Sequence, residues 1–203
     1  MIFDKGIVET MLVDDGIKPD LPMRYGRIRG TQPFCFARNV NLGIKECFDS
    51  DIVVLNDDAI LHTPGGFTAM QHAAEEHPDF GIISATTNVT GNPEQRPQNI
   101  GLREAKGSVA FIAVLIPRRT IETVGLMDER FGGLTPQGKR IYGYCDNDYC
   151  RRVRNAGLKV GIFDGCFVDH SSLRSTFRGD PHAAGDIAEG RKLYIEKWGD
   201  ANA

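Results

Sequence analysis

An α/β fold, in which helices flank a mixed and mainly parallel sheet, is predicted by two patterns in this sequence. Short apolar runs alternate with longer segments of helical periodicity along the chain. Most of the apolar runs are continuous rather than alternating, which is typical of strands that are covered on both faces. The chain has 203 residues and is 41% hydrophobic, so it can bury a sizeable core, and we expect a single domain over residues 1–203.

Five apolar runs are predicted as strands and four periodic segments as helices. The strands lie at residues 7–13, 52–55, 81–85, 109–117 and 158–163, and the helices at residues 37–48, 64–77, 146–156 and 183–198. The second helix has the clearest start, because Thr63 is a favoured N-cap residue and Pro64 suits the first helical position. The third helix stops at Gly157, a usual residue after a last turn. Residues 88–106 and 171–185 are rich in Gly, Pro, Asn and Ser and are predicted as mobile loops over a site.

Charge, hydropathy and cysteine usage exclude several classes of protein. The formal net charge of -3 does not suit a general nucleic-acid binder. The longest apolar run has the length of a strand, so no membrane span is predicted, and the N-terminus lacks the pattern of a signal peptide. The 5 cysteines have no CxxC spacing, so neither a disulfide framework nor a zinc site is predicted. We therefore expect a reduced, cytoplasmic protein.

Three polar residues, Asn56, Asp57 and Asp58, directly follow the second predicted strand. Ligands of α/β sheets bind beyond the carboxyl ends of strands, and carboxylates there suit a hard divalent cation that also binds substrate phosphates. The same residue types are common in turns and caps, so the pattern alone leaves both interpretations open. A lone histidine such as His170 is most often a surface or core residue, but a neutral imidazole there would complete a metal site begun by Asp58.

Acidic residues recur at two further positions. Asp14 and Asp15 follow the first predicted strand, where they fit either a turn or a second part of a site. Asp146 falls at the start of the third predicted helix, where its carboxylate either caps the helix or serves as a base in a cleft. Asp148 and Arg152 are four residues apart on that helix and are predicted to pair on its surface.

Taken in order, these segments resemble glycosyltransferase family 2. The landmarks are DDG at 14–16, the N-x-G-I segment at 41–44, NDD at 56–58, GLMDERF at 125–131, DNDYCRRVRNAG at 146–157, and the late histidine with its serines at 170–172. The resemblance runs from about residue 8 to residue 199. It implies the GT-A fold, which is Rossmann-like, with a nucleotide-binding half at about 1–60 and an acceptor-binding half at about 80–203.

The same resemblance implies a reaction and its cofactor. Members of the family invert the anomeric carbon as they move a hexosyl group from a nucleotide-diphosphate sugar to an acceptor hydroxyl, with Mn²⁺ or Mg²⁺ bound. A UDP-sugar donor and a carbohydrate or other hydroxyl acceptor are the partners implied for this chain. Asp58 matches the metal-binding carboxylate, His170 the additional metal ligand, and Asp146 the catalytic base.

Further residues are assigned by resemblance to the nucleotide side. Asp15 matches the aspartate that hydrogen-bonds uracil, and Asn56 and Asp57 fall near the ribose and the sugar. Arg38 or Asn41 is the match for a nucleotide contact. Two arginines that follow His170 are candidates for a lid over the phosphates or for ordinary solvated surface: Arg174 and Arg178.

The chain departs from the family pattern in three places. It starts only a few residues before the DDG segment, so the strand that normally precedes this segment is absent or replaced, and we expect altered donor affinity and an open sheet edge that favours a homodimer. Cys145 stands where the family has a glutamate before the base. Ile112 replaces a glycine that is usual on the acceptor side, which reshapes the acceptor pocket.

Two other functions compete with glycosyl transfer. A nucleotidyltransferase normally has a glycine-rich loop with basic residues after its first strand, and no such loop is present in the sequence. The other is a degenerate domain that binds a sugar nucleotide without turnover. Retention of Asp58, Asp146 and His170 counts against this alternative, because a binding domain needs no base.

Overall fold

The structure is a computed structural model that describes residue 4 and residues 9–15, 26–171 and 181–200. Its strands are β1 (Met11–Asp14), β2 (Gly26–Arg29), β3 (Ile52–Leu55), β4 (Ile60–Leu61), β5 (Phe80–Thr87), β6 (Leu102–Glu104), β7 (Ala113–Ile116) and β8 (Lys159–Asp169). Its helices are α1 (Phe36–Glu46), α2 (Gly66–Glu76), α3 (Arg118–Val124), α4 (Cys145–Asn155) and α5 (Ala183–Trp198).

Six strands form the main sheet in the order β3-β7-β5-β8-β4, and β6 pairs with another part of β8. The central pair, β5 and β8, is parallel, and the other pairings are antiparallel. The strands β3, β5 and β8 therefore run in one direction, and they contain most of the residues of the sheet. Strands β1 and β2 form a separate parallel pair. These findings confirm the predicted class, a mixed α/β fold with helices around the sheet.

The central strands are longer than their apolar runs. All eight residues of β5 are buried, although its last two are threonines. Thr86 Oγ1 donates to the carbonyl oxygen of Cys166 at 3.0 Å, which removes the cost of burying that hydroxyl. Strand β8 continues past the polar Asp164 to Asp169, through an irregularity in its register with β5. The sequence pattern missed this extension because polar residues interrupt the apolar run.

Both faces of the sheet are covered, as the continuous apolar runs predict. Ile82, Val114 and Ile162 belong to the apolar cluster that also contains buried residues of α1, α3, α4 and α5. Ile83 and Leu115 point to the opposite cluster, which is built with α2. Burial of one such side chain contributes about 2 to 3 kcal/mol before its entropy cost. This two-sided core holds the strand ends at fixed positions.

Short elements account for most differences from the predicted pattern. The predicted strand at residues 109–117 is a strand only at β7, and its first part is a buried turn. Of the predicted strand at 7–13, β1 covers the end, and residues 5–8 lie outside the described residues. Strands β2, β4 and β6 and helix α3 were not predicted, because runs of two to seven residues carry too little periodicity.

Residues 88–106 are anchored to the core, contrary to the prediction of a mobile loop. The fully buried Gln95 donates to the carbonyl of Ala110 at 2.9 Å and to Ser84 Oγ at 2.8 Å. Arg103 pairs with Asp164 at 2.5 Å. Only a small part of the other predicted loop, at 171–185, falls within the described residues.

An ionic network joins the start of α4 to the end of α5. Asp148 is completely buried, and its Oδ1 accepts from Lys197 Nζ at 2.7 Å and from Trp198 Nε1 at 2.9 Å. Lys197 also binds Asp128 at 2.8 Å. The predicted ion pair of Asp148 with Arg152 is present at 3.9 Å, but it is not on the surface as predicted, because this carboxylate is internal.

In the part of the chain that the structure describes, no helix has both the length and the apolar character needed to cross a membrane.

Replacement of Lys197 by methionine tests the ionic network. We expect Lys197→Met to lower the free energy of unfolding by about 3 to 5 kcal/mol, because it removes the closest cation of the buried Asp148 carboxylate. Chemical denaturation measures this change. The matched control is Lys192→Met, which removes an exposed lysine of the same helix that pairs with Glu189 at 2.8 Å, and we expect a change of less than about 0.5 kcal/mol there. Equal effects of the two substitutions would contradict the assigned role of Lys197.

Candidate active site

Three strand ends meet at one edge of the sheet. Strand β3 leads into the turn Asn56–Asp58, β5 leads into Asn88, and β8 leads into His170. The register sets this convergence, because Ile60 of β4 pairs with Asp169 while β5 pairs in parallel with the same part of β8. The parallel strands β5 and β8 end here, at the carboxyl edge, where α/β sheets bind their ligands.

Asp58 and His170, which are 112 residues apart in sequence, are in direct contact at this edge. Asp58 Oδ1 lies 2.9 Å from His170 Nε2, and both side chains are more than four-fifths buried. The other ring nitrogen, Nδ1, lies 2.9 Å from the carbonyl oxygen of Val89. A carbonyl only accepts hydrogen bonds, so Nδ1 carries the proton and Nε2 is directed at Asp58.

Neighbouring groups fix this histidine further. Its backbone N–H donates to Asn88 Oδ1 at 2.9 Å, and Asn88 Nδ2 donates to Asp169 Oδ1 at 2.7 Å. Hydrogen bonds from Ser171 and Asn88 lower the pKa of Asp169 to about 2. Asp169 therefore stays ionised and keeps the strand ends locked together at neutral pH.

The geometry of the Asp58–His170 pair fits a divalent cation. Adjacent ligands of an octahedral ion with bonds of about 2.1 Å are about 3.0 Å apart, close to the observed separation of the two ligand atoms. An imidazole that donates its second N–H to a carbonyl is the usual form of a metal-bound histidine. Among the described residues, no cluster of three or more His, Cys, Asp or Glu side chains is placed to hold a metal. A cation here would therefore take its other ligands from water or from a substrate, as Mg²⁺ commonly does.

The NDD segment is a turn as well as part of this site. The N–H of Asn56 donates to the carbonyl of Ile112 at 2.9 Å, and the N–H of Ala59 donates to the carbonyl of Asn56 at 3.1 Å. Within the turn, Asp57 is exposed and Asp58 is turned toward His170. Ile112 is buried in the core, so its backbone rather than its side chain contributes to the site.

Asp146 is the second residue of α4, and the N-cap position belongs to Tyr144. The carboxylate of Asp146 accepts from the N–H of its neighbour Asn147 at 2.9 Å. Burial raises the pKa of this carboxyl, and the hydrogen bond from Asn147 only partly offsets the effect. A carboxylate at a helix start is ordinarily stabilised as an anion, and burial opposes that effect at Asp146.

The phenol of Tyr142 is influenced by the charges of both Asp146 and Asp58, and sequence reasoning missed this residue. Burial raises the pKa of its phenol, and the charges of Cys145, Asp146 and Asp58 raise it further, against the opposite effect of Arg140. The phenol is therefore within electrostatic range of both carboxylates. The only available signal in the sequence was an aromatic residue in the turn just before α4.

Helix α5 sets the position of Tyr142 and of the start of α4. The N–H of Tyr142 donates to the carbonyl of Asp186 at 3.1 Å, and Arg140 Nε donates to Asp186 Oδ2 at 2.5 Å. Gly190 lies so close to the carbonyl oxygen of Tyr142 that a Cβ there would be far inside van der Waals contact. The absence of a side chain at Gly190 is what allows this approach.

Asp15 belongs to a second polar cluster, at the start of α1. Asn39 Nδ2 donates to Asp15 Oδ2 at 2.8 Å, and Gln32 donates to the Asp15 carbonyl. Three buried polar atoms of the cluster have no hydrogen-bond partner among the described residues: Asp15 Oδ1, Asn39 Oδ1 and Arg38 Nε. Unpaired buried groups each cost about 1 to 3 kcal/mol, which makes this cluster a candidate for binding a polar ligand.

The remaining predicted nucleotide contacts have structural partners. Arg38 donates to the carbonyl oxygens of Thr31 and Pro33 and so holds the segment before α1. Asn41 is buried, and its amide bonds both the N–H and the carbonyl of Met127 at 2.8 and 2.9 Å. Its side chain is thus fully committed to hydrogen bonds within the fold.

Two predicted residues at this edge are not described by the structure, and two groups that the structure places there were not predicted. Arg174 and Arg178, the predicted lid residues, lie outside the described residues. Asn88 and the Val89 carbonyl were missed by sequence reasoning. Asn88 begins an irregular stretch after a buried strand, which was the one signal that pointed to it.

Comparison with known proteins gives no family for this chain. No protein-family model matches the sequence, and no curated protein matches it. Solved structures that resemble the fold include apo-UDP-glucose pyrophosphorylase, with 11% sequence identity and a TM-score of 0.45. That match covers 85% of this chain and 65% of the other. A likeness of this size says nothing about what the chain binds.

Substitution of Gly190 tests the contact between α5 and Tyr142. We expect Gly190→Ala to destabilise the protein by about 1 to 3 kcal/mol, because the new methyl group must displace the backbone of Tyr142. The control is Gly185→Ala in the same helix, where an added Cβ meets no atom within 4 Å, and there alanine stabilises by up to about 1 kcal/mol. Thermal unfolding distinguishes the two. Stabilisation by both substitutions would mean that α5 does not pack closely against the backbone of Tyr142.

Proposed function

We propose that this chain is a glycosyltransferase that moves a sugar from a nucleotide-diphosphate sugar, a UDP-sugar, to an acceptor hydroxyl, with Mn²⁺ or Mg²⁺ held by Asp58 and His170. The observation that carries the proposal is the contact of these two side chains at 2.9 Å, at the carboxyl edge of the sheet. Their resemblance-based assignment as metal ligands and their geometry point to the same chemistry. A bound cation there would stabilise the negative charge of the departing nucleoside diphosphate.

Asp146 is the proposed base. As the acceptor oxygen forms its bond to the anomeric carbon, the acceptor proton passes to the Asp146 carboxylate. The bond between the anomeric carbon and the diphosphate oxygen breaks, its electron pair leaves with the diphosphate, and the configuration at the carbon inverts. Burial supports this role, because a carboxylate with a raised pKa holds a proton better than an exposed one.

The cluster around Asp15 is the proposed site of the nucleotide base. Asp15 Oδ1 and Asn39 Oδ1 are buried acceptors without a donor among the described side chains, and the ring N–H of uracil is a donor of the required kind. Asn56 and Asp57 lie next to Asp58 in the turn and are proposed to contact the ribose and the sugar. Arg38 Nε is a further buried donor without a partner among the described residues.

Binding without turnover is the main alternative, and product formation separates it from transfer. A binding domain requires the cation pair and the Asp15 cluster but gains nothing from an acid of raised pKa at the start of α4. Metal-dependent release of UDP in the presence of a UDP-sugar and an acceptor therefore distinguishes a transferase from a binding domain.

Replacement of Asp58 tests the cation site. We expect Asp58→Asn to weaken Mn²⁺-dependent binding of UDP by at least about tenfold, because one charged ligand is lost. Calorimetric titration with UDP, with and without Mn²⁺, measures it. Asp49→Asn is the control, since it makes the same change of charge at an exposed carboxylate. If Asp58→Asn binds UDP and Mn²⁺ like the unmodified protein, Asp58 is not a metal ligand.

Replacement of Asp146 distinguishes its proposed role as a catalytic base from a role as a helix cap. We expect Asp146→Asn to leave UDP binding unchanged, to raise the melting temperature, and to slow transfer by about a thousandfold or more. The stabilisation follows because a carboxyl with a raised folded-state pKa destabilises the fold above its ordinary pKa, where it is ionised. In the unmodified protein, kcat/KM should fall with decreasing pH on a limb that lies above the usual aspartate range. A lower melting temperature with normal transfer would identify Asp146 as a cap.

A further inference from the structure

Asn39, in helix α1, has an amide whose two ends have different surroundings. Its Nδ2 donates to Asp15 Oδ2 at 2.8 Å. This hydrogen bond fixes the orientation of the amide, because the reversed orientation would place two acceptor oxygens against each other. The other end, Oδ1, is therefore an acceptor, and it is buried without a hydrogen-bond partner among the described residues. Asp15 Oδ1 shares both properties.

Gly30 brings these two acceptors to one place. A Cβ on Gly30 would overlap Asp15 Oδ1 and would lie 3.3 Å from Asn39 Oδ1, so both oxygens lie beside the backbone of this glycine. The N–H of Gly30 does not bind either of them, since it donates to the carbonyl oxygen of Asp14 at 2.8 Å. Buried acceptors are almost always paired in folded proteins. Two unpaired acceptors at one place therefore suit a ligand that brings two donors.

The nucleotide of the proposed donor contains two such groups. The N3–H of uracil, already proposed as the partner of Asp15, is the only N–H of that base in a nucleotide. The second donor must therefore come from the attached ribose, and its 2′-hydroxyl is the sugar hydroxyl nearest to the base. A hydroxyl donates one hydrogen bond, which is what Asn39 Oδ1 lacks. The 3′-hydroxyl then remains for the turn that contains Asn56 and Asp57.

We propose that Asn39 Oδ1 accepts a hydrogen bond from the ribose 2′-hydroxyl, and that this contact selects ribonucleotides over 2′-deoxyribonucleotides such as dTDP. This inference rests on the proposed function, with Asp15 as the partner of the base. A 2′-deoxy nucleotide would bury Asn39 Oδ1 without supplying a donor to it. Sites that hydrogen-bond a substrate hydroxyl reject analogues without that hydroxyl for this reason.

Two substitutions of Asn39 test the proposal, because both remove the hydrogen bond to Asp15 and only one removes the acceptor. Asn39→Ala loses the amide oxygen, whereas Asn39→Asp keeps an acceptor oxygen at the same branch of the side chain. Asn155→Ala, at an exposed asparagine that ends α4, is the control. The probes are UDP and 2′-deoxy-UDP. Calorimetric titration with Mn²⁺ present measures both dissociation constants for each protein.

We expect the unmodified protein to bind UDP at least about tenfold more tightly than 2′-deoxy-UDP, because only UDP pairs Asn39 Oδ1. Asn39→Ala should bind the two nucleotides equally within about twofold. Asn39→Asp should bind both more weakly and keep the preference for UDP, and Asn155→Ala should behave like the unmodified protein. A purely structural role for Asn39 would weaken both nucleotides in parallel and leave the ratio of their dissociation constants unchanged.

The other outcomes separate this inference from the proposed function. If neither nucleotide binds the unmodified protein, the proposed nucleotide donor is wrong and the inference fails with it. If UDP binds and 2′-deoxy-UDP binds equally well, or if Asn39→Ala keeps the preference, only the inference is wrong. Loss of the preference in Asn39→Asp as well as in Asn39→Ala would also overturn it, because the preference would then depend on the hydrogen bond to Asp15 rather than on the acceptor.

Discussion

The parallel pairing of β5 with β8 is the constraint on which the rest of the structure depends. It joins two strands that are distant in sequence, and its register decides which residues leave the sheet together at the carboxyl edge. The short antiparallel pairing of β4 with the end of β8 then brings the NDD turn alongside. A shift of one residue in either pairing would turn alternate side chains to the opposite face and would separate Asp58 from His170. The buried apolar residues on both faces of β5 prevent such a shift.

Two carboxylates of helix α4, only two residues apart, have opposite environments. Asp148 is fully enclosed and is held by the ammonium of Lys197 and the indole of Trp198. No cationic side chain of the described chain pairs with Asp146, whose carboxylate accepts the N–H of Asn147. The contacts of Asp148 join α4 to α5. Asp146, in contrast, has no cation to compensate its charge among the described side chains.

Elements that depend on hydrophobic periodicity and local signals were predictable from the sequence, whereas elements and contacts that depend on tertiary packing were not. The buried strands β5 and β8 and the helices α2, α4 and α5 follow from apolar patterns, whereas β4, with two residues, has no detectable pattern. The predicted start of the second helix is wrong, because α2 begins at Gly66 with Gly65 at the N-cap rather than with Thr63 and Pro64 in those positions. The contact of Asp58 with His170 was anticipated as one open interpretation of their chemistry and as an implication of the family resemblance, because no local rule relates residues 112 positions apart. Asn41 illustrates the opposite case, since a motif match suggested a ligand contact and the structure gives its amide to Met127. The Val89 carbonyl, which accepts the hydrogen bond from His170 Nδ1, is a backbone group, so no residue type in the sequence indicates its role.

The Val89 carbonyl also couples the proposed cation site to the packing of the core. Val89 precedes Thr90, whose hydroxyl bonds the side chain of the buried Gln95, so the segment that orients His170 is anchored in the core through one amide. Any local opening of residues 88–106 would release the imidazole, and the apparent affinity for a cation would fall in proportion to the closed fraction. Binding of a cation would in turn favour the closed segment by the same free energy. The segment that sequence composition predicted to be mobile would thus support the proposed metal site only while it stays folded.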